Sequence, residues 1–387
     1  MPQSQALSSG ALQTESETLP IARSARREHI AYLEYFRAVA IVLIVTGHCY
    51  AVAWTHFVDE APLADSINWL SVLMALITGG TAYFVFISGF LYRQVFYERT
   101  TYGDFMYKKA LYVGLPYVAL ATPLTLAEMA LDGASATLVR HGEAYPRSYF
   151  VDFITIFSTG RMDIAYWYIP FIFIVFLASP LFDRFIRLAN AQKLAVLGIS
   201  ILIALWVHRP ASNLNPAQSV LYFANFYLFG IMFCEYRQPI MNFVSRSGTI
   251  AALGLLLVAI AATQVFFLHD SGNLERAAGQ GWWPLGLDLM LAQKYAGIAF
   301  FCGLLARWGH LAARPLKFLA EISFGLFFIH GIVLAALFRA PRFLSPHFGE
   351  PFLDLLLYSA VVLMISIAVV LAARKATGRY SRYIIGC

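Results

Sequence analysis

The chain has 387 residues, of which 59% are apolar and only 13% charged, against roughly 45–50% and 25% in a soluble globular domain. That balance argues against an aqueous globular protein, and four cysteines are too few for a disulfide scaffold. The net charge of +6 does not signal a nucleic-acid partner, because the basic residues are scattered through the loops between apolar runs, where a membrane accounts for them.

In chain order, residues 1–27 are polar, rich in Ser, Gln, Ala and Thr, and read as a disordered cytoplasmic tail. Residues 28–387 read as one membrane domain. Apolar segments near 35–54, 68–91, 110–130, 164–183, 192–207, 218–236, 248–268, 285–306, 317–338 and 352–373 approach the length that crosses a ~30 Å hydrocarbon layer. The fold class expected is therefore all-α integral membrane, a bundle of about ten transmembrane helices with both termini cytoplasmic, multi-pass in the inner or plasma membrane. The longest linker, about 131–163, is too short for an independent domain. Cys49, Cys234 and Cys302 lie inside apolar runs and read as small hydrophobes. Ala51-Val52-Ala53 mimics a cleavage site, but the preceding polar stretch is long and Arg37 interrupts the apolar run, so the first helix is expected to be retained.

Orientation follows from the loops. With both termini inside, the cytoplasmic segments hold nineteen Lys and Arg and the outer loops seven, as the positive-inside rule requires. Trp54, Trp69, Trp167, Trp206, Trp282 and Trp283 fall at the outer helix ends, where an indole finds both apolar contact and water.

Ionisable side chains within a bilayer are costly and therefore candidate functional residues. In the first helix Arg37 and His48 are eleven residues apart, which places them on one face and ~16 Å apart along the axis. Each also has a plainer reading, Arg37 as a snorkelling interfacial cation and His48 as a packed, hydrogen-bonded histidine. Lys294 is mid-helix, with Asp288 too far along the same helix for an assured pair. Ser323 and His330, seven residues apart, share another face, and His330 lies at a depth similar to His48. The scattered His and Cys residues lack the spacing of a metal site, and no cofactor motif is present.

The stretch from Glu34 to Ala40 followed by His48 resembles the opening of the integral-membrane acyltransferase 3 family, with its Arg, ten-residue gap and His. Phe84 to Leu91 is similar to the family's Ser-Gly-Phe-Leu helix ending, Ile322 to His330 to its late Ser-aromatic-Gly…His helix, and Trp167 to Leu181 to a fourth-helix pattern. Lys108-Lys109 stands where many members carry an arginine cluster.

The resemblance implies transfer of an acyl group, most often acetyl, from cytoplasmic acyl-CoA to a hydroxyl of a surface polysaccharide, lipopolysaccharide or other glycan or glycolipid. No bound cofactor is implied beyond that donor substrate. A neutral imidazole near its ordinary pKa suits deprotonation of an attacking alcohol, a role that falls to His48. Arg37 offers a forked donor set for phosphate or carboxylate, and either anchors the donor or pairs with Glu34. Arg93, Lys108 and Lys109 either meet the coenzyme A phosphates or only anchor the topology. Ser323, His330 and Lys294 stand as supporting candidates. A transporter or flippase for a glycan or lipid, with His48, Lys294 and His330 along a polar path, is the competing expectation.

Overall fold

The computed structural model describes residues 30–57, 69–131, 137–140, 143–146, 148–268, 275–276, 281–283, 285–338 and 351–387. The expected disordered tail at 1–27 lies outside them. The first helix, α1 (Ala31–Phe57), is continuous. The second apolar segment is a broken span: α2 (Trp69–Ile77) and α3 (Thr81–Leu91) meet at Thr78-Gly79-Gly80, where Gly79 has φ +79°. Lys294 resolves the buried carbonyl that this break exposes, its Nζ donating to the Leu76 carbonyl at 3.1 Å. A π-helical turn over Tyr92–Phe96 carries α3 to the bundle surface.

Next, α4 (Tyr102–Lys109) continues through a second π turn, Ala110–Gly114, into α5 (Leu115–Leu131). Pro116 and Pro123 lack the N–H that an unbroken ladder needs, and the helix accommodates both. The linker holds a hairpin, β1 (Thr137–Arg140) with β2 (Glu143–Pro146), and an 11-residue apolar helix, α6 (Tyr149–Thr159). Then α7 (Tyr168–Leu177) and α8 (Ser179–Ile186) form a pair bent by 54°. Pro180, at the second position of α8, suits a helix start after such a bend.

The chain continues with α9 (Asn190–Val207), β3 (Arg209–Pro210), α10 (Pro216–Glu235), α11 (Arg237–Val244) and α12 (Ser247–Phe266). A two-residue strand, β4 (Glu275–Arg276), pairs in parallel with β3. The remaining helices are α13 (Leu289–Trp308), α14 (Ala313–Phe338), α15 (Pro351–Thr377) and the short α16 (Ser381–Ile384).

Among the described residues, eight helical runs are long and apolar enough to cross a membrane, nine if the bent pair α7–α8 is one span. One of the eight, Leu289–Phe338, contains both α13 and α14. These two pack on α1 in opposite senses. Phe36, near the start of α1, stacks on Phe301 near the end of α13. On α14, Arg37 instead meets Ala320 near the start, and His48 meets His330 a further ten residues on. The run therefore doubles back at Gly309–Ala312. α15 returns to the same end, since Arg374 pairs with Glu321 at 2.7 Å. Both ends of the described chain thus lie at one face of the bundle, the N-terminal face.

The interior is aromatic: Phe36, Tyr83, Phe86, Phe90, Phe171, Phe223, Phe226 and Phe233 are essentially inaccessible. α3 and α10 cross so closely that a Cβ on Gly89 would stand 2.0 Å from the Tyr227 carbonyl oxygen, and one on Gly230 2.2 Å from that of Phe86. This reciprocal glycine contact is how helices approach in lipid, where packing rather than solvent exclusion drives association. By contrast, Leu194, Ile199 and Leu202 of α9, Leu255 and Leu256 of α12, and Met364 of α15 are exposed. An apolar interior inside an apolar exterior identifies a multi-pass membrane protein.

Candidate active site

His48 and His330 meet edge to edge, with ring centroids 5.2 Å apart and planes 14° from parallel. His48 Nδ1 lies 2.9 Å from His330 Nε2, and His330 Nδ1 lies 2.8 Å from the Leu326 carbonyl oxygen. That network assigns the tautomers of the neutral rings. A carbonyl only accepts, so His330 carries its proton on Nδ1 and presents a lone pair at Nε2. His48 then donates from Nδ1, which leaves its Nε2 unprotonated. His330 is fully buried, whereas His48 is not. The first ring is therefore the inner support and the second the one that reaches the cavity, the logic by which a partner on one imidazole nitrogen sets the state of the other.

His48 lines a cavity of about 590 Å3 that opens toward the face opposite the N-terminus. Its walls come from α1, the Thr78–Thr81 break, the Gly160–Trp167 turn and the 209–214 loop. The rim is polar and cross-tied. Arg209 donates to Asn213 Oδ1 at 2.5 Å, pairs with Glu275 at 3.5 Å and stands over the Trp167 ring. Glu275 accepts from the Ser212 backbone N–H at 2.9 Å. Ser212 and Asn213 hold positive φ values of 51° and 57°, a conformation that costs free energy in non-glycine residues and clusters at functional sites.

Asp163 also faces this cavity. One oxygen accepts from the Ala165 N–H at 2.9 Å, and burial pushes the carboxyl up to about 6. It rests against Gly331, where a Cβ would come within 2.2 Å of Oδ1. The residue after His330 must therefore be glycine for the acid to sit there.

Arg37 lies at the other end of α1. It lines a separate cavity of about 270 Å3 with Glu34, Gln94 and Arg99. Its Nη2 donates to the Ala320 carbonyl at 2.8 Å, while its Nε is buried with no hydrogen-bond partner among the described residues. Ser323 donates to the same carbonyl, also at 2.8 Å, so it groups with Arg37 rather than with the histidine pair. A small pocket beside His48 is lined by Phe84, and the Arg37 cavity by Ile87. Along α3 the two are three residues, or about 4.5 Å, apart.

Most of the other candidates have partners of their own. Arg93 is ion-paired with Glu235 at 3.0 Å, and Glu235 also binds Lys193 at 2.6 Å. Lys109 points into a cage of Phe96, Phe105 and Phe176, with its Nζ 4.5–5.2 Å from the three ring centroids; Lys108 is exposed. Lys294 supports the α2–α3 break, and Asp288 instead accepts from the Tyr222 hydroxyl at 2.8 Å. Trp167, expected at the membrane boundary, is buried and walls the His48 cavity. Trp69, Trp206, Trp282 and Trp283 are exposed, and the side chain of Trp54 lies outside the described residues.

Sequence reasoning missed Asp163, Arg209, Asn213 and Glu275. Arg209 carried a signal, as a cation on the side where the charge rule makes cations scarce.

An imidazole with a free basic nitrogen, held inside an apolar helical bundle between a cationic cavity at one face and a polar cavity at the other, defines a membrane-embedded site fit for proton transfer. The family model for the acyltransferase domain of the acyltransferase 3 type matches residues 30–373, and the chain belongs to that family; it is a membrane acyltransferase. Neither the curated proteins nor the solved structures include a match to this chain.

Proposed function

We propose that the protein is a membrane O-acyltransferase that moves an acyl group, acetyl in the simplest case, from cytoplasmic acyl-CoA to a hydroxyl of a cell-surface glycan or glycolipid. The observation that carries this reading is the His48–His330 pair, of which His48 lines the 590 Å3 cavity. In it the bundle makes ten crossings, with α7–α8 as one and α13 and α14 as two, and the N-terminal face is cytoplasmic.

The donor enters from the Arg37 side and the acceptor from the cavity rimmed by Asp163, Arg209, Asn213 and Glu275. Such a rim suits a sugar, because carboxylates, a guanidinium and an amide offer acceptors and donors to several hydroxyls, and Trp167 offers an apolar wall. His48 Nε2 takes the proton of the attacking hydroxyl as its oxygen bonds to the thioester carbonyl carbon. The C–S bond breaks on collapse of the tetrahedral intermediate. The imidazolium then returns the proton to the departing thiolate, leaving ester and free coenzyme A thiol. His330 holds the His48 ring so that Nε2, not Nδ1, faces the reaction.

One observation favours a carrier as the second reading: two spans are broken or bent, α2–α3 at the cavity and α7–α8 elsewhere in the bundle, as in transporters that bind substrate at interrupted helices. Purified protein in bilayer discs, given acetyl-CoA and a glycan acceptor, separates the two. Stoichiometric thiol release with acyl ester formation, abolished in His48→Ala, supports acyl transfer. Glycan flux without thiol release would favour the carrier.

A further inference from the structure

A basic concavity at the N-terminal face lies away from Arg93, Lys108 and Lys109. It is a cleft of about 660 Å3 between the start of α1, α11 and the end of α13, within the ~300–1,000 Å3 typical of small-molecule sites. Arg237, Arg307 and His310 line it, and Gln238, Asn242 and Ser245 add neutral polar groups; among the described residues no carboxylate lines it. Arg307 and His310 are exposed, and Arg307 is braced over the Trp308 ring at 5.3 Å.

The cleft is joined to the Arg37 cavity. Ile30 lines both, and Arg237 donates to Gln94 Oε1 at 3.4 Å, a residue of the Arg37 cavity wall. An elongated ligand with several phosphates at one end and a slender arm at the other matches this shape. Cationic side chains gathered at one end of a cleft select phosphate, with arginine forks as the strongest such contacts.

We propose that this cleft binds the nucleotide phosphates of the acyl donor, with the donor's arm running past Arg37 toward His48. The proposal rests on the acyl-CoA reading above. A phosphate at a membrane face has a second source, an anionic lipid headgroup, so the test must tell the two apart.

Binding of adenosine 3′,5′-bisphosphate and of coenzyme A is measured by calorimetry in discs of zwitterionic lipid. The proteins are the wild type, the double variant Arg237→Gln/Arg307→Gln, and Lys375→Gln as an exposed basic control at the same face. The double variant is expected to lose affinity for both ligands by about tenfold or more, with Lys375→Gln unchanged. Repeating the titration in discs containing phosphatidylglycerol should leave the wild-type affinity within about twofold. If the double variant bound as the wild type does, the phosphates would lie elsewhere and the proposal would fall. It would fall equally if phosphatidylglycerol displaced the nucleotide from the wild type and was itself retained less by the double variant, since the cleft would then be a lipid site. Wild type that bound neither ligand would overturn the donor reading itself, a different failure from an unaffected variant.

Discussion

The Asp163 carboxylate lies directly on the backbone of Gly331, one residue beyond His330. The turn before α7 and the middle of α14 are thereby locked together, and the acid is placed in the cavity that His48 lines. The same burial that holds the acid there pushes its titration up to about 6, from 3.8 for a free side chain.

A pH prediction follows from that shift. The folded chain holds the Asp163 proton more tightly than the unfolded chain does. Its contribution to stability is therefore fully present below about pH 4 and is lost as pH rises through about 6. Asp163→Asn keeps an oxygen for the Ala165 N–H and removes the titration. Thermal unfolding of the two proteins from pH 4 to 8 should show the variant gaining on the wild type across that window, then levelling off. A difference that did not change with pH would show that the buried carboxyl is not what titrates.

Catalysis should divide between the two histidines. His48→Ala removes the base, and loss of general-base catalysis costs about 10²–10⁴-fold in rate. His330→Ala should leave the base in place but free its ring, with about a tenfold or larger fall in kcat and little change in donor KM. His330→Gln, which still offers an oxygen to the His48 Nδ1–H, should recover part of that loss. An inserted His330→Ala protein with wild-type kcat would reduce the second ring to packing.

Lys109 should behave as a structural residue. Its ammonium lies among three aromatic rings, each contact worth roughly 0.5–2 kcal/mol according to how far it is desolvated. Lys109→Ala should lower the unfolding temperature without weakening donor binding, and Lys108→Ala should do neither. A selective loss of coenzyme A affinity in Lys109→Ala would restore that lysine to the donor site.

The α3–α10 crossing should tolerate no side chain. At Gly89 and Gly230 an added Cβ would meet backbone oxygen at 2.0 and 2.2 Å, and backbone cannot swing aside as a side-chain tip can. Gly89→Ala or Gly230→Ala should cost upward of about 2 kcal/mol, read as loss of folded protein by fluorescence-detected size exclusion. At Gly248, where nothing stands within 4 Å, alanine should be accepted; equal behaviour at all three sites would contradict the close crossing.

Reporter fusions should place residues after Arg93, Arg237 and the C-terminus on the cytoplasmic side and those after Trp206 outside. A cytoplasmic signal after Trp206 would invert the bundle.

Apolar run length by itself marked out the helices, because a bilayer leaves a chain few other ways to satisfy its backbone. The one-face alignment of Arg37 and His48 was equally legible, since it depends only on the 3.6-residue period of a single helix. What each residue meets was not legible, because contacts between helices depend on crossings that no local pattern encodes. His330 could be placed at the depth of His48, but only the parallel packing of α1 and α14 makes it the partner that fixes the His48 tautomer. Ser323 shares the His330 face, yet it bonds the carbonyl that Arg37 also uses, because its hydroxyl reaches only one turn back along its own helix. Charge counting marked Arg93, Lys108 and Lys109 as a basic group. The fold gave Arg93 to Glu235 and Lys109 to an aromatic cage, and made the cleft between α1, α11 and α13 a basic concavity. Asp163, Arg209 and Glu275 come from three separate loops, and they surround His48 only because the helices between them bring those loops to one end of the bundle.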